Sequence, residues 1–152
     1  MLIRKATPED IALIRKLEQE TESAAHWSER EYDALFAAEA PRRIALVAAE
    51  ESAAQIMGFV IACCAEDEWE IENVVVASEK RRGGMGSALV RELVQEARRS
   101  GANAVLLEVR ESNAAACLLY EKTGFKQIGR RPDYYRNPPE DALLLKISIS
   151  IP

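Results

Sequence analysis

Apolar positions along the chain switch between two spacings, and each switch marks an element. "LIRKA" at 2–6 reads as a short strand. In "TPEDIALIRKLEQET" at 7–21, Ile11, Leu13, Ile14 and Leu17 recur at helical spacing. Thr7 stands ahead of them as N-cap, Pro8 takes the first helical position and acids fill the first turn. A second helix, "SEREYDALFAAEA" at 28–40, starts on Ser28 with Glu31 placed to complete a capping box, and Pro41 closes it. "RIALVAAE" at 43–50 and "QIMGFVIACCA" at 55–65 predict the two strands of a hairpin, and "WEIENVVVA" at 69–77 predicts another strand. The clearest helix is "GSALVRELVQEARRSG" at 86–101. Ala88, Leu89, Leu93, Val94 and Ala97 share one face, Arg98 and Arg99 suit the negative end, and Gly101 stops it. "AVLLEV" at 104–109 is an apolar run typical of a buried parallel strand. A helix over 112–124, ending at Gly124, and two strands, "FKQIGRR" at 125–131 and "DALLLKISIS" at 141–150, complete the pattern.

The order β-α-α-β-β-β-α-β-α-β-β predicts an α/β fold with a mixed sheet. Its parallel part should centre on the strand–loop–helix–strand unit at 69–109. At 152 residues the chain predicts one domain, 1–152, with a workable core.

Composition narrows the function. No stretch reaches the roughly 18 apolar residues of a membrane span, and "MLIRKATPED" carries no apolar targeting segment. Cys63, Cys64 and Cys117 suit neither a disulfide framework nor a zinc site, so reduced thiols, no metal and a cytoplasmic location are expected. A net charge of −5 argues against general nucleic-acid binding. The charge is uneven: residues 1–77 carry net −9 and residues 78–152 net +4. A basic half suits an anionic ligand and an acidic half a cationic one, the plainer alternative being a solvated mixed surface.

The sharpest chemistry sits in "EKRRGGMGSALV" at 79–90. A helix start leaves backbone N–H groups without intrahelical partners, and glycines let a ligand approach them. A strand, a glycine turn and a helix N-terminus therefore form a phosphate cradle. A Walker loop would need Gly-Lys-Ser/Thr where Gly86-Ser87-Ala88 stands, and a dinucleotide fingerprint would need glycine at Leu89. Both fail, and a plain strand–helix turn stays open.

"RRGGMG" resembles the (Gln/Arg)-x-x-Gly-x-(Gly/Ala) motif of the Gcn5-related N-acetyltransferase (GNAT) superfamily, with Arg81, Gly84 and Gly86 on its fixed positions. "NAAACLLYEKTGF" is similar to that family's distal segment through Asn113, Ala116, Tyr120, Gly124 and Phe125. The resemblance covers nearly the whole chain. It implies a mixed sheet of about six to seven strands flanked by about four helices, and acetyl-CoA as cosubstrate. It implies that Arg81, Arg82, Gly83, Gly84, Met85, Gly86 and Ser87 hold the pyrophosphate, although Gly83 falls on a variable position. The pantetheine arm would lie along Val74, Val75 and Val76, and Asn113 would touch coenzyme A while also capping its helix. Three stretches, "AHWSEREY", "LEVRESNAAA" and "RRPDYYRNPPEDALLLK", resemble bacterial ribosomal-protein-alanine N-acetyltransferases. The implied partner is a protein N-terminus, on a small-subunit ribosomal protein.

Acyl transfer to an amine needs a proton acceptor and a donor for the departing thiolate. The resemblance gives the donor role to Tyr120; its alternative is an aromatic core residue. Glu108 interrupts an apolar strand where a charge is costly unless paired or functional, and is the candidate base. Its alternative is a structural ion pair, with Arg110 for instance. His26, Trp27, Tyr134 and Tyr135 are expected at the acceptor, the tyrosines in a Pro- and Arg-rich loop. Trp27 could equally pack in the core; for the tyrosines the resemblance implies contact with the peptide's first residues, the alternative being a staple over the sheet. Cys117 reads as packing. Two rival functions remain at this stage. One is a lysine or small-molecule amine acetyltransferase of the same fold, and the other a non-catalytic acyl-CoA-binding module.

Overall fold

The computed structural model describes residues 1–21, 24, 27–36, 42–50 and 55–149. Seven strands form one mixed sheet in the order β1-β2-β3-β4-β5-β7-β6. They are β1 Leu2–Lys5, β2 Arg42–Ala49, β3 Ile56–Cys64, β4 Glu68–Val76, β5 Ala104–Arg110, β6 Lys126–Arg136 and β7 Pro139–Ser148. The helices are α1 Ile11–Gln19, α2 Glu29–Asp33, α3 Met85–Arg99 and α4 Ala114–Lys122. The sequence order of elements holds, and so does the β2–β3 hairpin. β4 and β5 are the parallel pair and the other neighbours run antiparallel. Among the described residues no helix is long and apolar enough to cross a membrane.

Both sheet faces are covered, which is why β2 and β3 read as apolar runs. On one face Leu89, Val90 and Leu93 of α3 and Tyr120 of α4 pack over Val105, Leu107 and Val109. On the other, Ile14 and Leu17 of α1 and Tyr32 of α2 pack over Val47, Phe59, Ile61 and Val75. Leu89 and Leu93 are fully buried, each contributing about 1.5–3 kcal/mol relative to exposure.

Two departures from the helix pattern have local causes. The first turn, Pro8–Asp10, is a 3-10 turn, and α1 proper begins at Ile11. Asp10 organises it, accepting from Thr7 N–H at 2.8 Å while Arg4 forks onto the same carboxylate at 2.7 and 3.0 Å. Ser28 and Glu31 form the expected capping box, but α2 ends at Asp33, and residues 37–41 lie outside the described ones.

The closing strands are longer than their pattern suggests. Pro132, Asp133 and Pro138 mark a loop in the sequence, yet β6 runs on to Arg136 and β7 starts at Pro139. β6 is an edge strand, where proline costs no interior ladder bond. A bulge between Arg131 and Tyr135 absorbs the breakers. Tyr134 and Tyr135 therefore sit on a strand, not in a loop.

The site depends on where β4 and β5 part. Paired positions run from Glu68 and Ala104 to Ile71 and Leu107 and stop there, although both strands continue. A bulge in β4 coincides with the break: Ile61 faces Asn73 while Ala62 faces Ile71, leaving Glu72 as the extra residue. Bulges bend and twist a strand, and this one turns residues 72–76 away from β5.

Candidate active site

A groove of about 830 Å³ opens between the C-terminal half of β4, the start of α3 and the exposed side of α4. Val74, Val75, Val76, Arg81, Arg82, Gly84, Met85, Gly86, Ser87, Asn113 and Tyr120 line it. These are all but one of the residues expected to hold the cosubstrate, together with the proposed acid. Gly83 is the exception; it does not line the groove. A Cβ placed on it would meet only Lys80 O at 3.6 Å, an ordinary contact.

The other two glycines have structural reasons. Gly84 is the N-cap of α3 and takes φ +85°, the left-handed region that glycine enters at little cost. A Cβ at Gly86 would lie 2.5 Å from Leu119 Cδ1, so any other residue here forces the Leu119 side chain to move. The helical ladder begins with Ala88 N–H donating to Gly84 O at 3.0 Å. The amides of Met85, Gly86 and Ser87 thus stand ahead of the ladder, the arrangement that accepts a phosphate. Arg81 uses Nε to hold Val76 O at 3.1 Å, tying the loop to the end of β4.

Asn113 takes the capping role and stands at the groove. Its Oδ1 accepts from Ala116 N–H at 3.2 Å as the cap of α4, and it borders the groove. Tyr120 is buried, stacked edge-on to Phe125 with ring centroids 5.6 Å apart. Burial, and then the nearby Cys117, push its phenol well above the ordinary value, so it stays protonated. Burial also raises the Cys117 thiol, which makes it a poor nucleophile.

Glu108 does not line this groove. Alternation along β5 sends Val105, Leu107 and Val109 into the α3–α4 core and turns Glu108 to the opposite face, just past the last β4–β5 pair. Arg131 Nε lies 3.0 Å from Glu108 Oε1. Arg110, the partner suggested by sequence, is tied instead to Glu140 at 3.2 Å. The charge of Glu108, and then a hydrogen bond to it, raise the Tyr134 phenol. Burial, and then Glu108, raise that of Tyr135. Glu70 on β4 is pushed up by burial and by Glu108 and Glu72.

Beside this cluster, Arg43 forks onto Glu72 at 2.7 and 3.2 Å and lies 5.0 Å from the Trp27 ring. Trp27 is half-buried and tilts against Tyr32, so it packs on the core edge and borders the acidic face at once. His26 lies outside the described residues.

The structure adds residues that the motifs did not supply. Lys80, Leu118, Leu119 and Lys122 also line the groove. Glu70 and Arg131 join the acidic face; the run Glu68, Glu70, Glu72 at alternate strand positions was the available signal for the first.

The sequence profile of the acetyltransferase (GNAT) family matches residues 11–125. The [ribosomal protein bS18]-alanine N-acetyltransferase of Escherichia coli K12 is 36% identical over 99 residues, 64% of this chain and 67% of that protein. The crystal structure of the ribosomal-protein-S18-alanine N-acetyltransferase from Escherichia coli superposes with a TM-score of 0.84 at 29% identity, covering 99% of this chain and 95% of that one. An aminoglycoside 6'-N-acetyltransferase from Enterococcus faecium shares the fold, with a TM-score of 0.79 at 20% identity over 100% of this chain and 99% of that one.

Proposed function

The chain belongs to the acetyltransferase (GNAT) family and is an N-acetyltransferase that takes its acetyl group from acetyl-CoA. From that premise we propose that its acceptor is the α-amine of an N-terminal alanine, on a small-subunit ribosomal protein in the cytoplasm. The observation that carries this reading is the similarity to the alanine N-acetyltransferase of E. coli, which extends through sequence and through nearly the whole fold.

The residues support direct transfer between two bound substrates. The amides at the start of α3 receive the pyrophosphate, with Lys80, Arg81, Arg82 and Lys122 adding positive charge at the groove. The β4 backbone over 72–76, released from β5, takes the pantetheine arm as a strand would take a partner. The thioester then reaches the gap between β4 and β5. Tyr120 borders the groove on one face, and Glu108 projects from the other.

An α-amine has a pKa of about 7.7–8.0, so much of it is protonated at neutral pH and cannot attack. Glu108 accepts that proton, directly or through water, while Trp27, Tyr134 and Tyr135 border the acceptor peptide. The amine adds to the carbonyl, the C–S bond breaks and Tyr120 protonates the departing thiolate, while the second proton, shed by the nitrogen as the amide forms, passes through water to restore the phenol. The phenol is protonated at neutral pH and so has a proton to give, although burial makes it a weaker acid than a free phenol.

The test compares acceptors at fixed acetyl-CoA. A ribosomal-protein peptide beginning with alanine is expected to be acetylated with a kcat/KM at least about a hundredfold above that of a lysine side chain or an aminoglycoside amine. Turnover of the small amines without turnover of the peptide contradicts the reading.

A further inference from the structure

We propose that Arg131 is a positioning residue for Glu108, aimed at it by the β6 bulge. This rests on the reading of Glu108 as the proton acceptor.

In an unbroken strand, residues three apart point to opposite faces. Arg131 and Tyr134 are three apart on β6, yet both meet Glu108: Arg131 at 3.0 Å, and Tyr134 through its hydroxyl. The bulge makes this convergence. The β6–β7 register steps from Arg131 opposite Ala142 to Tyr135 opposite Glu140, so three residues of β6 stand against a single one of β7. Asp133 takes φ 52°, a left-handed conformation that aspartate tolerates.

The bulge is tied down from outside. Asp133 N–H donates to Asp141 Oδ1 at 2.9 Å, and Arg130 holds Asp141 at 2.8 Å. Arg130 also forks onto Glu111 at 2.7 and 2.9 Å. None of these groups touches Glu108; together they fix the segment that does. Arg131 further lies 5.6 Å from the Tyr134 ring, so the two side chains brace each other.

Charge explains why Glu108 needs holding. Three carboxylates, Glu70, Glu72 and Glu108, stand on neighbouring strands of this face. Glu72 is engaged by Arg43, and Arg110 by Glu140. Among the described residues, Arg131 is the guanidinium that pairs with Glu108. It offsets the repulsion from Glu70 and restricts the rotamer of a side chain that is only 19% exposed.

The experiment is steady-state kinetics with the alanine-starting peptide. It compares wild type, Arg131→Gln, Arg131→Lys, Glu108→Gln and the double variant Arg131→Gln/Glu108→Gln. Arg131→Gln is expected to lower kcat roughly tenfold to a hundredfold, with the acetyl-CoA KM within about twofold of wild type. Lysine, keeping the charge but not the guanidinium Nε that meets Glu108, should restore part of the loss. In the Glu108→Gln background, Arg131→Gln should cost nothing further, because the group it positions is gone. An equal loss in both backgrounds overturns the proposal, as does wild-type kcat in both Arg131 variants. Wild-type kcat in Glu108→Gln removes the base assignment itself, a separate failure. Should Arg131→Gln not fold, Arg131→Lys alone decides between lowered kcat at unchanged KM and no change.

Discussion

Gly84 and Gly86 are glycines for different reasons, and Gly83 needs neither. Alanine at Gly84 must hold a left-handed φ, a strain of about 1–2 kcal/mol. At Gly86 the added carbon displaces the side chain of Leu119, which lines the groove. Both substitutions are expected to raise the acetyl-CoA KM severalfold or more before they touch kcat, whereas Gly83→Ala should leave it within about twofold. Equal KM values for all three alanine variants would contradict the assignment. Tyr120→Phe removes one hydroxyl from a buried ring. It should lower kcat about a hundredfold with little change in acetyl-CoA KM; a raised KM at intact kcat would make Tyr120 a packing residue. The motif positions were legible from sequence because each is a local demand of backbone or chemistry. Arg131 was not, because its approach to Glu108 depends on a bulge that alternation cannot foresee.

Elements show the same division. Caps were legible: Ser28 with Glu31, and Asn113 with Ala116, are short-range bonds written in adjacent residues. The parting of β4 from β5 was not, since the Glu72 bulge is a matter of register between distant strands. The first turn adds a contact between elements, because Arg4 of β1 reaches Asp10. That ion pair and hydrogen bond hold the Asp10 carboxyl below its usual value, against a smaller opposing effect of burial. A folded pKa below the unfolded one stabilises the protein above the unfolded value of about 3.9, and the gain is lost as pH falls through the folded value. Asp10→Asn should therefore cost about 2 kcal/mol at neutral pH. Urea unfolding should show the gap between variant and wild type closing below about pH 4. A gap that is constant with pH would mean that packing, not charge, accounts for it.

At the scale of the molecule, the uneven charge of the sequence resolves into two surfaces. Lys80, Arg81, Arg82 and Lys122 gather at the groove from the basic half. Glu70 and Glu72 come from the acidic half and meet Glu108 on the opposite face. The break between β4 and β5 joins the two, so an anionic donor and a cationic acceptor can approach from opposite sides of one sheet. The fold alone does not choose the acceptor, since an aminoglycoside enzyme shares it. The most direct measurement gives the protein acetyl-CoA and one peptide that carries both an N-terminal alanine and an internal lysine, then locates the acetyl group by fragment-ion mass spectrometry. Acetyl on the alanine α-amine, with the lysine unmodified, is the predicted result; acetyl on the lysine with a free N-terminus would contradict it.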